Sequence, residues 1–349
     1  MPKALMLTAP RTLAFEELPA REPGPGEVLI RTLFSGISAG TELSQYRGTN
    51  PYMSKRWDEV RRLFSPSLDP SWTFPVRNLG YEEVGEIIAV GEGVDDLRVG
   101  QHVFGTWGHR THHVAPVDQV RHRQMPEGAD PRTGIFSHIG AVALNGVHDA
   151  AIRIGDTVAV FGLGVPGQIV AQAARASGAR VVGIDPVASR RDLASKLGVH
   201  VALDPSEGSV AERIKDMTSG RGADACIEVS GAPAALSEAI RAVAYSSRVV
   251  ALGFFQGEVR GLHLGDEFHH NRVNLVCSQI SGVAPEASYR WSKPRLWQAA
   301  VQLQHEGVLN LLPLITHVRP FAEAAELFGL LDAGAPDMLQ TMLHFGAQA

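Results

Sequence analysis

The sequence predicts an α/β protein of two domains, in which a doubly wound parallel sheet is inserted into a twisted, barrel-like antiparallel β-rich domain. Three observations predict it. The chain has 349 residues, beyond the roughly 250–300 at which a single hydrophobic core stops growing. Up to about residue 150, short apolar runs alternate with Gly and Pro, the pattern of strands and tight turns. From residue 151 to 283 the apolar runs alternate instead with helical segments, the grammar of βαβ units around a sheet buried on both faces.

In the first domain, "KALMLT" and "LAFEEL" read as opening strands. Val28, Ile30, Thr32 and Phe34 then alternate along the next run with the period of two of a half-buried strand. "EEVGEIIAVGEGVDDLRVGQHVFG" continues the pattern, broken at its "VG" turns. Residues 51–78 stand apart as an insert, where Trp57, Val60, Leu63 and Phe64 recur at helical spacing between proline-rich ends. That spacing predicts an inserted helix and loop, whose aromatics either line a cleft or pin the helix to the barrel.

In the second domain, "TVAVFG" is followed by "QIVAQAARASG", "RVVGID" by "SRRDLASKLG", "VALD" by "SVAERIKDMTSG", and "ADACIEVSG" by "PAALSEAIRAVA". "SRVVALGFF" and "NLVCSQISG" add two further strands. Residues 284–349 carry two helical segments and the strand-like "DMLQTMLHF", which leave the alternation and return to the first domain. The expected division is therefore 1–150 with 284–349, around 151–283.

Net charge is −5 and no Lys/Arg run exceeds two residues, so there is no basic face for nucleic acid or an anionic membrane. No segment approaches the roughly 20 apolar residues of a membrane span, and the N-terminus lacks a signal-peptide core. The expected location is the cytoplasm. Cys226 and Cys277 each sit in an apolar run without metal-ligand spacing, which predicts buried core thiols.

The strongest local signal is Gly162-Leu163-Gly164-Val165-Pro166-Gly167, placed directly after the strand "TVAVF" and opening a helix. The first glycine makes the tight turn, the second admits a pyrophosphate, and the third lets helix and strand pack closely. The helix N-terminus then holds the negative charge. Asp185 ends the second strand about twenty residues on, placed to bind ribose hydroxyls and to repel a 2′-phosphate. This predicts NAD(H) rather than NADP(H), although Arg190 and Arg191 just beyond could accommodate a phosphate.

Over nearly its whole length the chain resembles the medium-chain dehydrogenase/reductase superfamily, the relatives of zinc alcohol dehydrogenases. The carrying segments are "PGPGEVLIRTLFSGISAGTE", "LGYEEVGEIIAVGEGVDDLRVGQHVFG", "IRIGDTVAVFGLGVPGQIVAQAARASGARVVGIDP" and "ITHVRPFAEAAELFGLLDAG". The resemblance implies a GroES-like catalytic domain beside a Rossmann domain. It also implies that metal ligands have been exchanged. Zinc-dependent members read Cys-Gly-Thr-Asp where this chain has Ala39-Gly40-Thr41-Glu42, and Gly-His-Glu where it has Gly80-Tyr81-Glu82. The third ligand position falls at His138 or at its neighbour Ser137. No metal is expected, since a tetrahedral N/S site cannot be assembled from these side chains. His109, His112 and His113 read as structural or exposed rather than as replacement ligands.

The same resemblance makes Thr41 the contact to the substrate oxygen and places Ser44 where a proton-relay histidine is usual. Glu42 and Glu82 then need protein donors such as Arg, Tyr81 or His138, or form a buried structural pair. Without a Lewis acid, Tyr81 is the expected hydrogen-bond donor to a developing alkoxide and His138 the expected acid–base group. The expected activity is zinc-independent, NAD(H)-linked transfer of hydride between nicotinamide and an alcohol/carbonyl substrate. Tyr52, Trp57, Trp72 and Phe74, with Trp291 and Trp297, suggest a bulky or ring-shaped one. The rivals are a reductase of activated C=C bonds and a non-catalytic dinucleotide sensor. "NLVCSQISG" at a sheet edge is where relatives pair, so a homodimer is expected.

Overall fold

The computed structural model describes residues 1–67 and 69–346. Two compact units emerge, Met1–His138 with the residues from Leu312 onward, and Ile139–Leu311.

The first unit is built on a six-stranded sheet. Its spine is the strand Glu27–Ile37, flanked antiparallel by Glu82–Val90, His112–Pro116 and Gln340–His344. His102–Gly105 and Ile315–Pro320 extend the two sides. The expected alternation holds for Val28, Ile30 and Thr32, all buried. It breaks after Thr32, where the register against the partner strand slips before Phe34. A bulge of this kind re-aims the residues beyond it, so Ser35 and Ile37 are buried while Phe34 is only partly so. The returning strand Gln340–His344 pairs with Phe34–Ile37, which brings the end of the chain back to this domain.

The insert is not a helix. After a short turn at Pro51–Met53 it forms a hairpin of strands Lys55–Asp58 and Leu63–Pro66. Asp58 Oδ1 accepts from the backbone N–H of Val60 at 3.0 Å and of Arg61 at 2.8 Å, an Asx-type turn that competes with helix. Val60, counted on the helical face, is 95% exposed at the tip. The aromatics pack chiefly on one another. Trp57 faces Phe64 across the strands at 4.7 Å, and Tyr52 stacks on Trp72 at 4.7 Å.

The second unit is a parallel sheet in the order Val201–Leu203, Arg180–Ile184, Thr157–Phe161, Ala223–Glu228, Val243–Ala251, Asn274–Cys277. In sequence order of its strands this is 3-2-1-4-5-6, the doubly wound arrangement with its switch point beside the first strand. The central strand Thr157–Phe161 is buried almost throughout, as a strand covered by helices on both faces must be.

The unit extends beyond 151–283 at both ends, because its polar contacts do. Arg248 Nη1 donates to the carbonyl of Asp149 at 2.9 Å, Asn145 Nδ2 to Ser278 Oγ at 3.3 Å, and the backbone N–H of Asn310 to Gln172 at 2.7 Å. Helix Lys293–His305 thus belongs here, not with the first unit. Trp291 likewise packs on His148 at 4.5 Å and under Arg295. Cys226 is buried as expected, but Cys277 is exposed because it lies on the edge strand of the sheet. No helix among the described residues is long and apolar enough to cross a membrane.

Candidate active site

The second unit carries the dinucleotide turn. Gly162 has φ +96°, open only to glycine without strain, and leads into the helix Val165–Ala176 with Gly164 as its N-cap. No side chain caps that helix, so its first N–H groups are left to an anion. At Gly167 a Cβ would lie 1.9 Å from the carbonyl oxygen of Gly162. The turn therefore closes only with glycine there. Gly167→Ala is expected to weaken NADH binding by more than about tenfold, measured by fluorescence titration; unaltered affinity would show that the turn does not cradle the dinucleotide.

Asp185 follows the strand Arg180–Ile184 and is buried. Its Oδ2 accepts from the N–H of Leu163 at 2.8 Å and its Oδ1 from that of Val187 at 2.8 Å. One carboxylate thus braces the glycine turn and the following loop, with lone pairs left for ribose hydroxyls. Arg190 Nη1 stands 3.8 Å from the same carboxylate. Arg191 is committed elsewhere, to Asp204 and to the carbonyl of Asp185, each at 2.7 Å. Gln168, which sequence reasoning passed over, ties the turn to the loop by donating to the carbonyls of Leu163 and Arg190.

The first unit brings Thr41, Tyr81 and His138 together. Thr41 opens the helix Thr41–Tyr46. The Tyr81 hydroxyl donates to Ser38 Oγ at 2.5 Å and is also hydrogen-bonded to the Thr41 side chain. His138, in the first turn of the helix Ser137–Asp149, meets the Tyr81 ring edge-on at 5.0 Å. Burial, reinforced by the Glu82 and Glu42 carboxyls, pushes the Tyr81 phenol above its ordinary range. It therefore remains a hydrogen-bond donor at any physiological pH. Ser44 is engaged locally: its hydroxyl donates to the Thr41 carbonyl at 2.6 Å and accepts from Asn50 at 2.9 Å.

Beneath these groups lie three buried glutamates, Glu42, Glu82 and Glu83. Their donors differ from those expected. Glu42 Oε1 accepts from the N–H of Ser38 at 2.9 Å, and Glu42 Oε2 faces His109 Nε2 at 2.7 Å. Glu82 accepts from Gln340 at 3.1 Å. Burial, with Glu42 and Glu83 nearby, raises the Glu82 carboxyl well above the usual carboxylate range. Burial likewise raises Glu83 to about 7, against the pull of His109.

His109, read as structural or exposed, is fully buried and bridges Glu42 to Ser35. The bulge that turns Ser35 inward makes this possible, and no local sequence signal announced it. His113 instead stacks on Trp107 at 5.5 Å. Among the described residues no group of three or more His, Cys, Asp or Glu side chains could hold a metal ion.

The zinc-binding dehydrogenase family model matches residues 162–293, and that of the alcohol dehydrogenase GroES-like domain residues 24–150. D-Guloside 3-dehydrogenase of Escherichia coli (strain K12) is 35% identical over 333 residues, covering 93% of this chain and 95% of that protein. L-Threonine 3-dehydrogenase of Pyrococcus furiosus is 29% identical, covering 97% and 98% respectively. Among solved structures, 2R,3R-butanediol dehydrogenase from Bacillus subtilis superposes with a TM-score of 0.80 at 22% identity, over 99% of this chain and 100% of that one.

Proposed function

The chain belongs to the zinc-type alcohol dehydrogenase family and is an oxidoreductase, and from that premise we propose that it is a zinc-independent, NAD(H)-linked dehydrogenase. Its substrate would be a secondary hydroxyl on a ring-shaped, sugar-like polyol, oxidised to the ketone. The observation that carries this reading is the Tyr81 hydroxyl, held by Ser38 and Thr41 beside the His138 ring.

The donor set does not fit zinc. At the positions where zinc-dependent relatives place ligands stand a methyl group, a phenol that stays protonated and one imidazole: Ala39, Tyr81 and His138. Tetrahedral zinc sites take four N, S or carboxylate donors, catalytic ones leaving a single position to water or substrate. The dinucleotide does fit: Gly162, Gly164, Val165, Pro166 and Gly167 would hold its pyrophosphate, and Asp185 its adenosine ribose. When bound, NAD supplies the hydride acceptor for the carbinol carbon. Arg190 leans on Asp185 and Arg191 on Asp204, so a 2′-phosphate would meet a carboxylate with no guanidinium wholly free for it. This supports NAD over NADP.

On the substrate side, Tyr81 Oη turns its single hydrogen from Ser38 to the substrate oxygen as negative charge develops there, with the Ser38 hydroxyl then donating to Tyr81, and the Thr41 hydroxyl contacts the same oxygen. The His138 imidazole takes up the hydroxyl proton in oxidation and returns it in reduction. The aromatic cluster of Tyr52, Trp57, Phe64 and Trp72 is tied to the Thr41 helix, since Asn50 caps the N–H of Tyr52 and donates to Ser44. Aromatic faces suit the apolar side of a sugar ring, and a guloside dehydrogenase is a 35% identical relative. The exposed edge strand Asn274–Cys277 supports pairing of two copies, and the protein is read as a cytoplasmic homodimer.

The test is initial rates with NAD and NADP on glycosides, cyclic and acyclic polyols and enones, with the metal content of the same sample measured. Expected is NAD-dependent turnover of a cyclic polyol or glycoside in metal-free protein. Turnover lost on chelation, or confined to enones with NADPH, would overturn the reading.

A further inference from the structure

His109 lies in the connection between the strands His102–Gly105 and His112–Pro116, 67 residues from Glu42 and 74 from Ser35. It touches both turns that carry the proposed catalytic hydroxyls. Through Glu42 it reaches the Ser38–Thr41 turn, because the other Glu42 oxygen accepts from the N–H of Ser38 at 2.9 Å. Through its own backbone it holds the second turn, donating from its N–H to the carbonyl of Leu79 at 2.8 Å. Its ring also fills the space beneath Gly80: with φ +100° there, a Cβ would lie 2.8 Å from His109 Cε1. The chain of contacts closes where Tyr81 donates to Ser38.

Once Glu83, held at about 7, is ionised, counting hydrogens fixes the charge of this ring. Ser35 has one hydroxyl hydrogen, and it goes to Glu83 Oε1 at 3.0 Å. The 2.6 Å contact between Ser35 Oγ and His109 Nδ1 must then be donated by the ring. The 2.7 Å contact to the Glu42 carboxylate is donated by Nε2. Both ring nitrogens carry hydrogen, which makes His109 an imidazolium.

We propose that His109 is a positioning residue of the active site, an internal cation that balances Glu42 and locks the Ser38–Thr41 turn against the Gly80–Tyr81 turn. A buried carboxylate needs such a partner, and removing one member leaves the other charge unpaired. The electrostatics agree: burial resists charging the ring, and the Glu42 carboxylate beside it prevails and raises its pKa. The groups facing it are Glu42 on the helix Thr41–Tyr46, Ser35 on the spine strand, Glu83 on the strand Glu82–Val90 and the Phe328 ring, edge-on at 5.9 Å. Arg110 follows it in the chain and adds a charge near Glu83.

The activity arm of the test rests on the dehydrogenase reading; the spectroscopic arm does not. Nitrogen-15 NMR of the full chain at pH 8, where a free histidine is neutral, is expected to show both His109 nitrogens protonated. A ring with one bare nitrogen, the proton resting on Glu83 instead, would overturn the proposal even if the variants failed to fold. In the activity arm, His109→Gln and Glu42→Gln are each expected to lower kcat by about tenfold or more through misplacement of Tyr81 and Thr41. Substrate KM and NADH affinity should stay within about twofold, and the double variant, with no unpaired charge, should recover most of kcat. Single variants with wild-type kcat and pH profile, or a double no better than either single, would refute it. A wild type without turnover sinks the dehydrogenase reading, and the NMR result still decides His109.

Discussion

Tyr81→Phe is expected to lower kcat by roughly 10²–10³-fold, the loss typical for one preorganised donor to a developing oxyanion, while NADH affinity stays at the wild-type value. The variant removes one oxygen atom and keeps the ring that packs edge-on against His138. Its effect is therefore confined to the hydrogen bond. The dinucleotide turn belongs to the other compact unit, which is why cofactor binding is the internal control. His138→Ala should cost a further 10²–10⁴-fold as the acid–base group is lost. The pH–rate profile separates the two: removing His138 should remove the limb that the acid–base group contributes, whereas removing Tyr81 should leave it. Stopped-flow hydride transfer on the full-length protein reads both, and unchanged turnover in both variants would remove Tyr81 and His138 from the mechanism.

Conformational stability is expected to fall as pH rises from about 5 to 8, because the folded chain holds protons on buried groups that the unfolded chain has released. The sign follows from three raised pKa values. Glu83 moves from 4.5 to about 7, Glu82 rises well above 4.5, and His109 rises above 6.5. Each group binds its proton more tightly in the folded state, so the stability it confers is complete below the unfolded pKa and is lost as pH climbs through the folded one. For Glu83 alone, a shift from 4.5 to about 7 corresponds to roughly 3 kcal/mol. Glu83→Gln keeps an acceptor for the Ser35 hydroxyl and never ionises. It should therefore flatten the profile, raising the melting temperature at pH 8 while changing it little at pH 5. Calorimetric melts at the two pH values decide this; a parallel shift of the variant at both would show that Glu83 does not carry the ionisation.

The two groups of candidate residues, one in each unit, were legible to different degrees. The glycine turn was readable because its parts are contiguous: strand, Gly162 to Gly167 and helix follow one another, and Asp185 stands one βα unit later. Tyr81, Thr41 and His138 came from register with a family pattern, and the fold sets them side by side. The groups that hold them did not show. Gln340 meets Glu82 across 258 residues and His109 meets Ser35 across 74. Ser35 points inward only because a bulge after Thr32 reverses the faces of its strand. The insert misled because Trp57, Val60 and Phe64 satisfy a helical period equally well, until Asp58 captures two backbone N–H groups and turns the chain into a hairpin.

Local steric and hydrogen-bonding demands are written residue by residue. For that reason the alternation of strand and helix in the second unit and the glycine turn with its acidic partner were evident before any coordinates. Charge balance in a buried cluster is a property of distant segments brought within hydrogen-bond distance of one another. Packing alone assigned the Glu42 carboxylate to His109, the Glu82 carboxyl to Gln340 and the Tyr81 hydroxyl to Ser38. It also moved the unit boundaries to His138 and Leu311, because a domain ends where its contacts end rather than where its sequence pattern changes.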